Sequence, residues 1–441
     1  MNAPRRKLGI WMATALVVGN IVGSAIFMLP ASLAPFGWNA ISAWMVTVVG
    51  ALCLAWVFAQ LSRYLPKAGG TYGFMRLALG EHVAFLGAWG YIVSIWSANA
   101  AITIGGVSYL TRLVPRLGDS NAAMALSGVG GIWLLTWVNL RGLRSAGMVQ
   151  LVSSVIKLLP FAAVIGLAVW QLAAHGVTVL PPVHEGSFSF AGASGAVGLT
   201  LYAMLGLESA AMPADAVEDP GRIVPIATMA GTLLSAVVSI IATCAVVLML
   251  PASTVANSKA PIADFVAQWF GSASGWFVAV CAVVSCFGCL NGWLLLGGDL
   301  PATMADAGTL PPWFGRRNAA GSPSRAVLLG AVISTGLTLM AYTKVGAAAY
   351  NFAALLATAT NLLVYLFCAL AVVYFMRKGV LPRSWPLIAC TMGALVFVAW
   401  AFYGSGSEAL IWGAVLTGAG WPIYVFARRA AARAVAATVA E

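Results

Sequence analysis

The sequence predicts an all-α integral membrane protein with about twelve transmembrane helices, and three observations lead to this fold class. Hydrophobic residues make up 61% of the 441 residues and charged residues only 8%, whereas soluble domains carry about a quarter charged residues. The apolar residues form continuous runs of about 20 residues or more, the length that one helix needs to cross a bilayer. These runs do not alternate between apolar and polar residues, which excludes a β-barrel.

The apolar runs fall into twelve candidate spans. Main-chain polar groups must be satisfied within each span in a hydrocarbon environment, so each span is expected to be helical. The spans are 10–36, 40–62, 83–114, 122–140, 147–172, 190–213, 226–250, 274–298, 326–343, 347–375, 386–403 and 409–427.

The basic residues orient these spans. Because the number of spans is even, both termini are expected on one side of the membrane. If that side is the cytoplasm, most Lys and Arg residues lie inside, and the outer loops hold only Arg112, Arg116, Lys259 and Lys344. This asymmetry follows the positive-inside rule. The formal charge of +11 is therefore interpreted as a sign of topology and not of nucleic-acid binding.

Two spans contain residues that weaken a transmembrane helix. The first carries "GNIVGSA" (19–25), and the sixth, in "LTLYAMLGLESAAMPADAV" (199–217), carries Gly206, Glu208 and Ser209. The interruptions, Gly19 and Gly206, lie 187 positions apart. Five spans separate the start of one interrupted span from the start of the other, so the second begins on the opposite side of the membrane. This pattern predicts two five-helix repeats of inverted topology around a binding site.

Each interruption is interpreted as an unwound segment that binds substrate. Half-helix N-termini favour a carboxylate and half-helix C-termini favour an ammonium group, and an α-amino acid carries both. The alternative for the first span is a GxxxG packing face on an intact helix.

The predicted organisation has five parts: a cytoplasmic N-terminus (1–9), a first repeat (10–172), a second repeat (190–375), helices eleven and twelve (386–427) and a cytoplasmic tail (428–441). Two motif-rich stretches are expected to frame a cytoplasmic gate. One is a loop at 63–76, and the other is a short interfacial or cytoplasmic helix at 299–317.

Four stretches resemble a known superfamily: "GNIVGSAIFMLP" (19–30), "PKAGGTYGFMRLALG" (66–80), "LGLESAAMPADAVEDPGRIVPIAT" (205–228) and "NGWLLLGGDLPATMADAGTLPPWF" (291–314). They are similar to the amino acid–polyamine–organocation (APC) superfamily. Within it they most resemble the basic amino acid/polyamine antiporter group, the bacterial arginine/agmatine antiporters in particular, over roughly 8–427. The resemblance implies a leucine-transporter-like fold of five plus five inverted helices with two C-terminal helices, helices 1 and 6 broken, and alternating access in the bacterial inner membrane.

The resemblance also implies a substrate site. It places the substrate carboxylate at Ser24 and the Ala25 N–H group, and the ammonium group at the carbonyl oxygens of Ile21, Tyr202 and Leu205. The remaining binding candidates are Asn20, Gly23 and Ala203 on the interrupted stretches, Trp293 against the substrate side chain, Asn99 in the side-chain pocket, and Ser94, Ile95, Ala357 and Thr358 near the guanidinium position.

The chain departs from the antiporters at three of these places. Tyr202 stands where they have a gating tryptophan, Ser94 and Ile95 replace a small pair, and Ala357 lacks an expected hydroxyl group. The guanidinium site is therefore only partly preserved, which leaves room for a smaller or more neutral substrate.

Two ionisable residues lie deep in apolar spans, where such residues are usually functional. The resemblance implies a proton-sensing role in gating for Glu208, together with Tyr202. The alternative for Glu208 is a structural carboxylate that caps the broken helix. Lys157 corresponds to a lysine that takes the place of a sodium ion in other superfamily members, and the alternative is a lysine that extends to the membrane interface.

The sequence thus predicts a sodium-independent antiporter of amino acids or their decarboxylated amines, of the arginine/agmatine type. Alternatives are a neutral amino acid exchanger or exporter, and a nutrient sensor or channel on the same scaffold. The sequence lacks H-E-x-x-H, nucleophile-elbow and P-loop motifs, so neither an enzyme nor an ATP-driven pump is expected. The C-x-x-C pair Cys286 and Cys289 is interpreted as packing residues. No cofactor or metal is expected. The expected partners are a small-molecule substrate and the lipid bilayer, and relatives are often homodimers.

Overall fold

The computed structural model describes residues 9–141, 153, 156–184, 187–209, 211, 217–344 and 347–429. Over these residues the regular elements are all helices. The sixteen α-helices are α1 (Ile10–Ile21), α2 (Ser24–Leu33), α3 (Asn39–Tyr64), α4 (Gly70–Leu79), α5 (Glu81–Leu113), α6 (Asn121–Leu140), α7 (Leu158–His175), α8 (Phe190–Tyr202), α9 (Pro220–Met249), α10 (Ala252–Asn257), α11 (Pro261–Phe270), α12 (Ser272–Asp306), α13 (Ser324–Ala341), α14 (Ala347–Arg377), α15 (Trp385–Gly404) and α16 (Gly406–Gly418).

The helices confirm the predicted fold class of about twelve membrane spans. Eleven helical stretches in the described part of the chain are long and apolar enough to cross a membrane, with α1 and α2 counted as one and α16 continuing to Arg429. The sixth predicted span contributes only the 13-residue α8. The protein is therefore a multi-pass membrane protein.

Helix α5 lies at the centre of the bundle. Its most apolar 18 residues are all buried, and it packs along both α12 and α14. In contrast, α6 exposes large apolar side chains, among them Trp133, Leu134 and Trp137, as a helix that faces lipid does. The bundle thus encloses α5 together with the interrupted helices.

The two stretches expected to frame a gate differ from their predictions. The supposed loop at 63–76 contains the start of α4, which buries Tyr72, Phe74 and Met75. Two positive-φ glycines, Gly69 and Gly70, lie at the start of this helix, and its apolar face packs against α5 and α14.

The predicted separate helix at 299–317 is also wrong. Helix α12 continues without interruption to Asp306, because Leu300, Pro301 and Met304 are buried and keep the packed face going. Only after Asp306 does the chain turn, at Gly308, whose φ is +76°.

Several predicted regions extend beyond the described residues. The fifth span was placed at 147–172, and its described helix, α7, runs from Leu158 to His175. Residues 147–152, 154 and 155 lie outside the described part, as do residues 1–8 of the N-terminus, 430–441 of the tail and residues 210, 212 and 213 of the sixth span.

Candidate functional site

The first transmembrane span is interrupted at Val22 and Gly23. Val22 has ψ 87°, and Gly23 has φ −132° and ψ −149°, both outside the helical region. The Val22 N–H still bonds the Val18 carbonyl at 2.8 Å, so the helix ends in an ordinary last turn before the chain restarts at Ser24. The alternative of an intact helix with a GxxxG packing face is therefore wrong.

The sixth span is interrupted as well, and the interruption begins four residues before Gly206, the glycine from which it was predicted. Helix α8 ends at Tyr202, and the chain continues in turns to Ser209. Gly206 has φ +104°, a conformation that glycine adopts readily and other residues rarely do.

The last turn of α1, directly before the first interruption, touches the turns that follow α8. A Cβ atom built on Gly206 would lie 3.1 Å from the Asn20 Cβ. The Asn20 amide donates to the Ser209 hydroxyl at 2.9 Å, and this hydroxyl in turn donates to the Gly206 carbonyl. The helix end before the first break and the non-helical segment of span six thus form one buried unit.

A small cavity lies at this junction, with about 270 Å³ of empty space including open solvent. Its walls come from α1, α2, α5, α8 and α12. Eight predicted binding residues line it: Asn20, Ile21, Gly23, Ser24, Ala25, Tyr202, Leu205 and Trp293. Every lining residue is buried and uncharged.

Three further residues line the cavity, Ala98, Ile102 and Cys289. The sequence predicted none of them to bind substrate and indicated a packing role for Cys289. Cys289 precedes Trp293 by one helical turn, and Ala98 precedes Ile102 by one turn, so each pair shares a helix face. The spacing from Trp293 was the available signal for Cys289. Its sulfur would lie 2.6 Å from a Cβ at Gly23, so the thiol packs against the break in the first span.

Helix ends of opposite polarity converge on the cavity. Helix α2 begins at Ser24 without a capping side chain, so the N–H groups of its first turn have no intrahelical partners and carry partial positive charge. The Ser24 hydroxyl is buried without a hydrogen bond partner in the described residues. Helices α1 and α8 end at Ile21 and Tyr202, where carbonyl groups carry partial negative charge. The Tyr202 carbonyl already accepts the Leu205 N–H at 3.2 Å.

Six predicted binding residues do not line the cavity. The Ser94 hydroxyl donates to the Ala357 carbonyl at 2.8 Å, between α5 and α14. The Thr358 hydroxyl bonds the Ala354 carbonyl in its own helix at 2.9 Å.

The other three of these residues are buried elsewhere. The Asn99 amide faces Ser334 of α13 at 3.5 Å. Ile95 lies against α12, 3.0 Å from a Cβ at Gly297, and Ala203 is buried in the turn after α8. The guanidinium-side residues of the resemblance are thus helix-contact residues in this structure.

Glu208 is fully buried and ties the second interruption to two central helices. Tyr91 of α5 donates to its Oε1 at 2.7 Å, and Tyr365 of α14 donates to its Oε2 at 2.8 Å. The Tyr365 ring packs edge to face on Phe58, with centroids 5.7 Å apart. The carboxyl group therefore links α5 and α14 through the turn that follows α8.

Lys157 lies at the start of α7 and is 1% exposed. Its Nζ donates to the Gly19 carbonyl at 2.5 Å, in the last turn of α1. The side chain therefore points into the protein and not toward the membrane interface. A positive charge is held one turn before the break in the first span.

Comparison with known proteins identifies the family. Residues 8–425 match the family model described as amino acid permease. The chain is 34% identical over 430 residues to the putrescine transporter PotE of Escherichia coli strain K12, covering 96% of each chain. It is 32% identical over 433 residues to PotE of Haemophilus influenzae (97% of this chain, 98% of the relative). It is 30% identical over 412 residues to the cadaverine/lysine antiporter of Escherichia coli strain K12 (91% and 90%). With similarity over nearly its whole length, the chain belongs to the amino acid permease family of the APC superfamily.

Proposed function

We propose that the protein is a sodium-independent secondary transporter that exchanges a basic amino acid for its decarboxylated amine across the bacterial inner membrane. The observation that carries this proposal is the meeting of two interrupted helices at one buried cavity. Unwound segments at corresponding positions of two repeats are typical of secondary transporters that work by alternating access.

The substrate's main-chain groups match the polarity of the helix ends. In the proposal, Ser24 and the Ala25 N–H hold the carboxylate at the uncapped start of α2. The carboxylate would then accept a hydrogen bond from the Ser24 hydroxyl, which is otherwise unpartnered in the described residues. The carbonyl groups of Ile21, Tyr202 and Leu205 hold the ammonium group. Tyr202 and Trp293 line the same cavity and offer aromatic faces to a cationic side chain.

Two observations favour an unbranched diamine and its parent amino acid over arginine and agmatine. Ser94 and Ala357, on the guanidinium side of the resemblance, bond each other outside the cavity. The relatives are named for putrescine and for cadaverine with lysine. Putrescine and cadaverine, each with its parent amino acid, are therefore the first candidates, and the arginine/agmatine pair follows.

A neutral amino acid exchanger is the second candidate. It is favoured by the absence of charged residues among those that line the cavity, because a cationic side chain usually meets a carboxylate or several aromatic faces.

Two buried ionisable residues receive roles in this proposal. Protonation of Glu208 would change how it accepts the Tyr91 and Tyr365 hydroxyls, which gives gating a proton-sensitive link between the second break and the central helices. The ammonium group of Lys157 on the Gly19 carbonyl supplies the positive charge that a sodium ion provides in coupled relatives.

We further propose that residues 10–172 and 190–375 form the two inverted repeats, with 386–427 as two additional helices and both termini in the cytoplasm. Support comes from the position of the breaks, which fall in the first span of each repeat: between α1 and α2, and after α8.

Counterflow in proteoliposomes tests the function. Vesicles loaded with unlabelled cadaverine, putrescine, lysine, agmatine, arginine or leucine are diluted into trace labelled substrate. Exchange of a diamine with its parent amino acid, unchanged when choline replaces sodium, is the expected result. Counterflow of neutral amino acids alone would favour the second candidate. Uptake without counterflow would indicate a channel, and binding without flux a sensor.

A further inference from the structure

A second and larger cavity lies beside the central one. It holds about 1220 Å³ of empty space, including open solvent, and we call it the Lys259 vestibule. Residues that define it are Met28, Ile104, Asn121, Lys259, Lys344 and Tyr350.

The vestibule adjoins the central cavity through a thin wall. Ser24 lines the central cavity and Met28, one turn further along α2, lines the vestibule. The Tyr202 ring on the central side packs edge to face on the Tyr350 ring on the vestibule side, with centroids 6.0 Å apart. The Tyr202 and Tyr350 rings thus lie between the two cavities.

The vestibule carries positive charge. Two lysines and no acidic residue line it. Lys344 is paired with Glu408, at 2.8 Å. The Lys259 ammonium group bonds only the Gly118 carbonyl, at 3.0 Å, and has no carboxylate within ion-pair distance in the described part of the chain.

Two acidic residues lie near Lys259: the exposed Asp119, which follows Gly118 and forms no ion pair among the described residues, and Asp264, which is already engaged. Asp264 pairs with Arg112 at 2.9 Å and accepts the Ser258 hydroxyl at 2.5 Å. The Lys259 main chain is held in place, because its carbonyl accepts the Ser108 hydroxyl at 2.7 Å. At the inner end of the vestibule, the Tyr350 hydroxyl is buried without a partner in the described residues. The vestibule therefore presents to a passing solute the Lys259 ammonium group, which has no ion-pair partner among the described residues.

We propose that the Lys259 vestibule is a recognition site for the carboxylate of an incoming amino acid, and that it selects amino acids over diamines at this face. An amino acid with a cationic side chain brings one carboxylate that pairs with Lys259. A diamine brings two ammonium groups and no anion, so the same lysine repels it. A cleft lined by one sign of charge raises or lowers the local concentration of charged solutes in this way. The inference rests on the proposed exchange function.

This charge makes the two faces of the transporter kinetically unequal for the two substrates, while the substrate gradients set the direction of exchange. At the Lys259 face the parent amino acid enters more readily than the diamine, and a released diamine rebinds less readily. The expected topology places this face outside the cytoplasm.

The test compares transport at the two faces. Right-side-out and inverted membrane vesicles containing wild type, Lys259→Gln, Lys259→Glu or Lys259→Arg are assayed for KM and maximal rate with labelled lysine and with labelled cadaverine. Lys378→Gln is the matched control, because Lys378 is an exposed lysine at the end of α14, on the opposite side in the expected topology.

At the Lys259 face, K259Q is expected to raise the KM for lysine by about three- to tenfold, within the range of electrostatic steering, with the maximal rate unchanged. K259E should also lower the KM for cadaverine by a similar factor, and K259R should behave like wild type. The differences should shrink at about 0.5 M salt, where exposed charges are screened. Inverted vesicles and K378Q should show no change.

The outcomes separate the two proposals. If wild-type vesicles exchange neither lysine nor cadaverine, the proposed function fails for this pair and the inference fails with it. If wild type exchanges both substrates, the result depends on the ratio of the KM for lysine to the KM for cadaverine. A ratio in K259Q and in K259E that equals the wild-type ratio would overturn the inference and leave the exchange function standing.

Discussion

At the scale of single residues, Glu208 is the most constrained polar group of the site. Both of its oxygens accept tyrosine hydroxyls, from Tyr91 and Tyr365, and all three side chains are buried. A buried polar atom that loses its partner costs about 1–3 kcal/mol. The hydroxyl groups of Tyr91 and Tyr365 are therefore expected to contribute to the stability of the protein as well as to gating.

We expect Tyr91→Phe and Tyr365→Phe each to destabilise the detergent-purified protein by about 1–3 kcal/mol, seen as a lower thermal unfolding midpoint. Tyr403→Phe is the control, because Tyr403 is 71% exposed and its hydroxyl is free to meet water or lipid headgroups. Midpoints equal to the wild-type value for both buried variants would contradict the bonding pattern described here.

The carboxyl group itself is tested by Glu208→Gln, which keeps an acceptor for one tyrosine but cannot gain or lose a proton. We expect exchange by this variant to be slow, and its rate to vary much less with pH than that of wild type between about pH 5 and pH 8, a range in which a buried carboxyl group can titrate. Counterflow measured across that range provides the comparison. A variant with the full wild-type pH profile would remove Glu208 from the proposed proton-sensing role.

At the scale of helices, two features make the breaks possible: a fixed cation at one and a positive-φ glycine at the other. Lys157 donates to the Gly19 carbonyl in the last turn of α1. Gly206 has φ +104° and packs on Asn20. Neither feature is needed by a continuous helix, so both can be changed to test the interrupted geometry.

Removal of the cation by Lys157→Met is expected to lower the exchange rate at least tenfold. A hydrogen bond from a charged group contributes about 1.5–3 kcal/mol, and about 1.4 kcal/mol corresponds to a tenfold change. Wild type should exchange equally well in sodium and in choline buffers. A wild-type protein that needs sodium would show that Lys157 does not substitute for the ion.

The glycine is tested by Gly206→Ala, which forces a side chain into a rarely populated backbone conformation, at a cost of about 1–3 kcal/mol, and places its Cβ 3.1 Å from that of Asn20. Lower thermal stability and loss of counterflow are the expected results. Gly336→Ala is the matched control: it lies within α13 with open space around its Cβ position, so the change is expected to be neutral or stabilising by up to about 1 kcal/mol. Equal effects of the two substitutions would argue against a special role for Gly206.

At the scale of the whole molecule, the positions of the basic residues and the predicted number of spans together predict the orientation. Arg112 lies in the last turn of α5, and Lys259 and Lys344 lie in the loops that follow α10 and α13. Lys259 and Lys344 line the Lys259 vestibule, and Arg112 pairs with Asp264 of the neighbouring α11. The structure thus brings three of the four basic residues that were assigned to the outer side onto one face of the bundle.

Both termini are expected in the cytoplasm. A fluorescent protein fused after residue 441 should fluoresce, and alkaline phosphatase fused within the loop at Lys259 should be active, because the first folds in the cytoplasm and the second outside it. Fusions with the two reporters exchanged serve as controls. Activity of the phosphatase at the C-terminus would reverse the orientation, and with it the face to which the Lys259 vestibule opens.

The sequence by itself determined the membrane class, the number of spans and the pairing of the two breaks. These properties depend on local composition: a run of apolar residues crosses the bilayer wherever it occurs, and glycine, asparagine or serine at mid-depth weakens a helix there. Eight of the predicted binding residues lie within or beside the broken segments or on α12 and line the cavity for this reason.

Only the tertiary structure decided which faces of the intact helices point inward. Asn99 faces α13, Ser94 bonds Ala357 outside the cavity, and Ala98, Ile102 and Cys289 line it instead. The tilt and rotation of a transmembrane helix are set by packing against its neighbours, and one residue along a helix turns a side chain by about 100°. The continuation of α12 to Asp306 and the folding of α4 depend on the same distant contacts, which the order of residues along one helix does not contain.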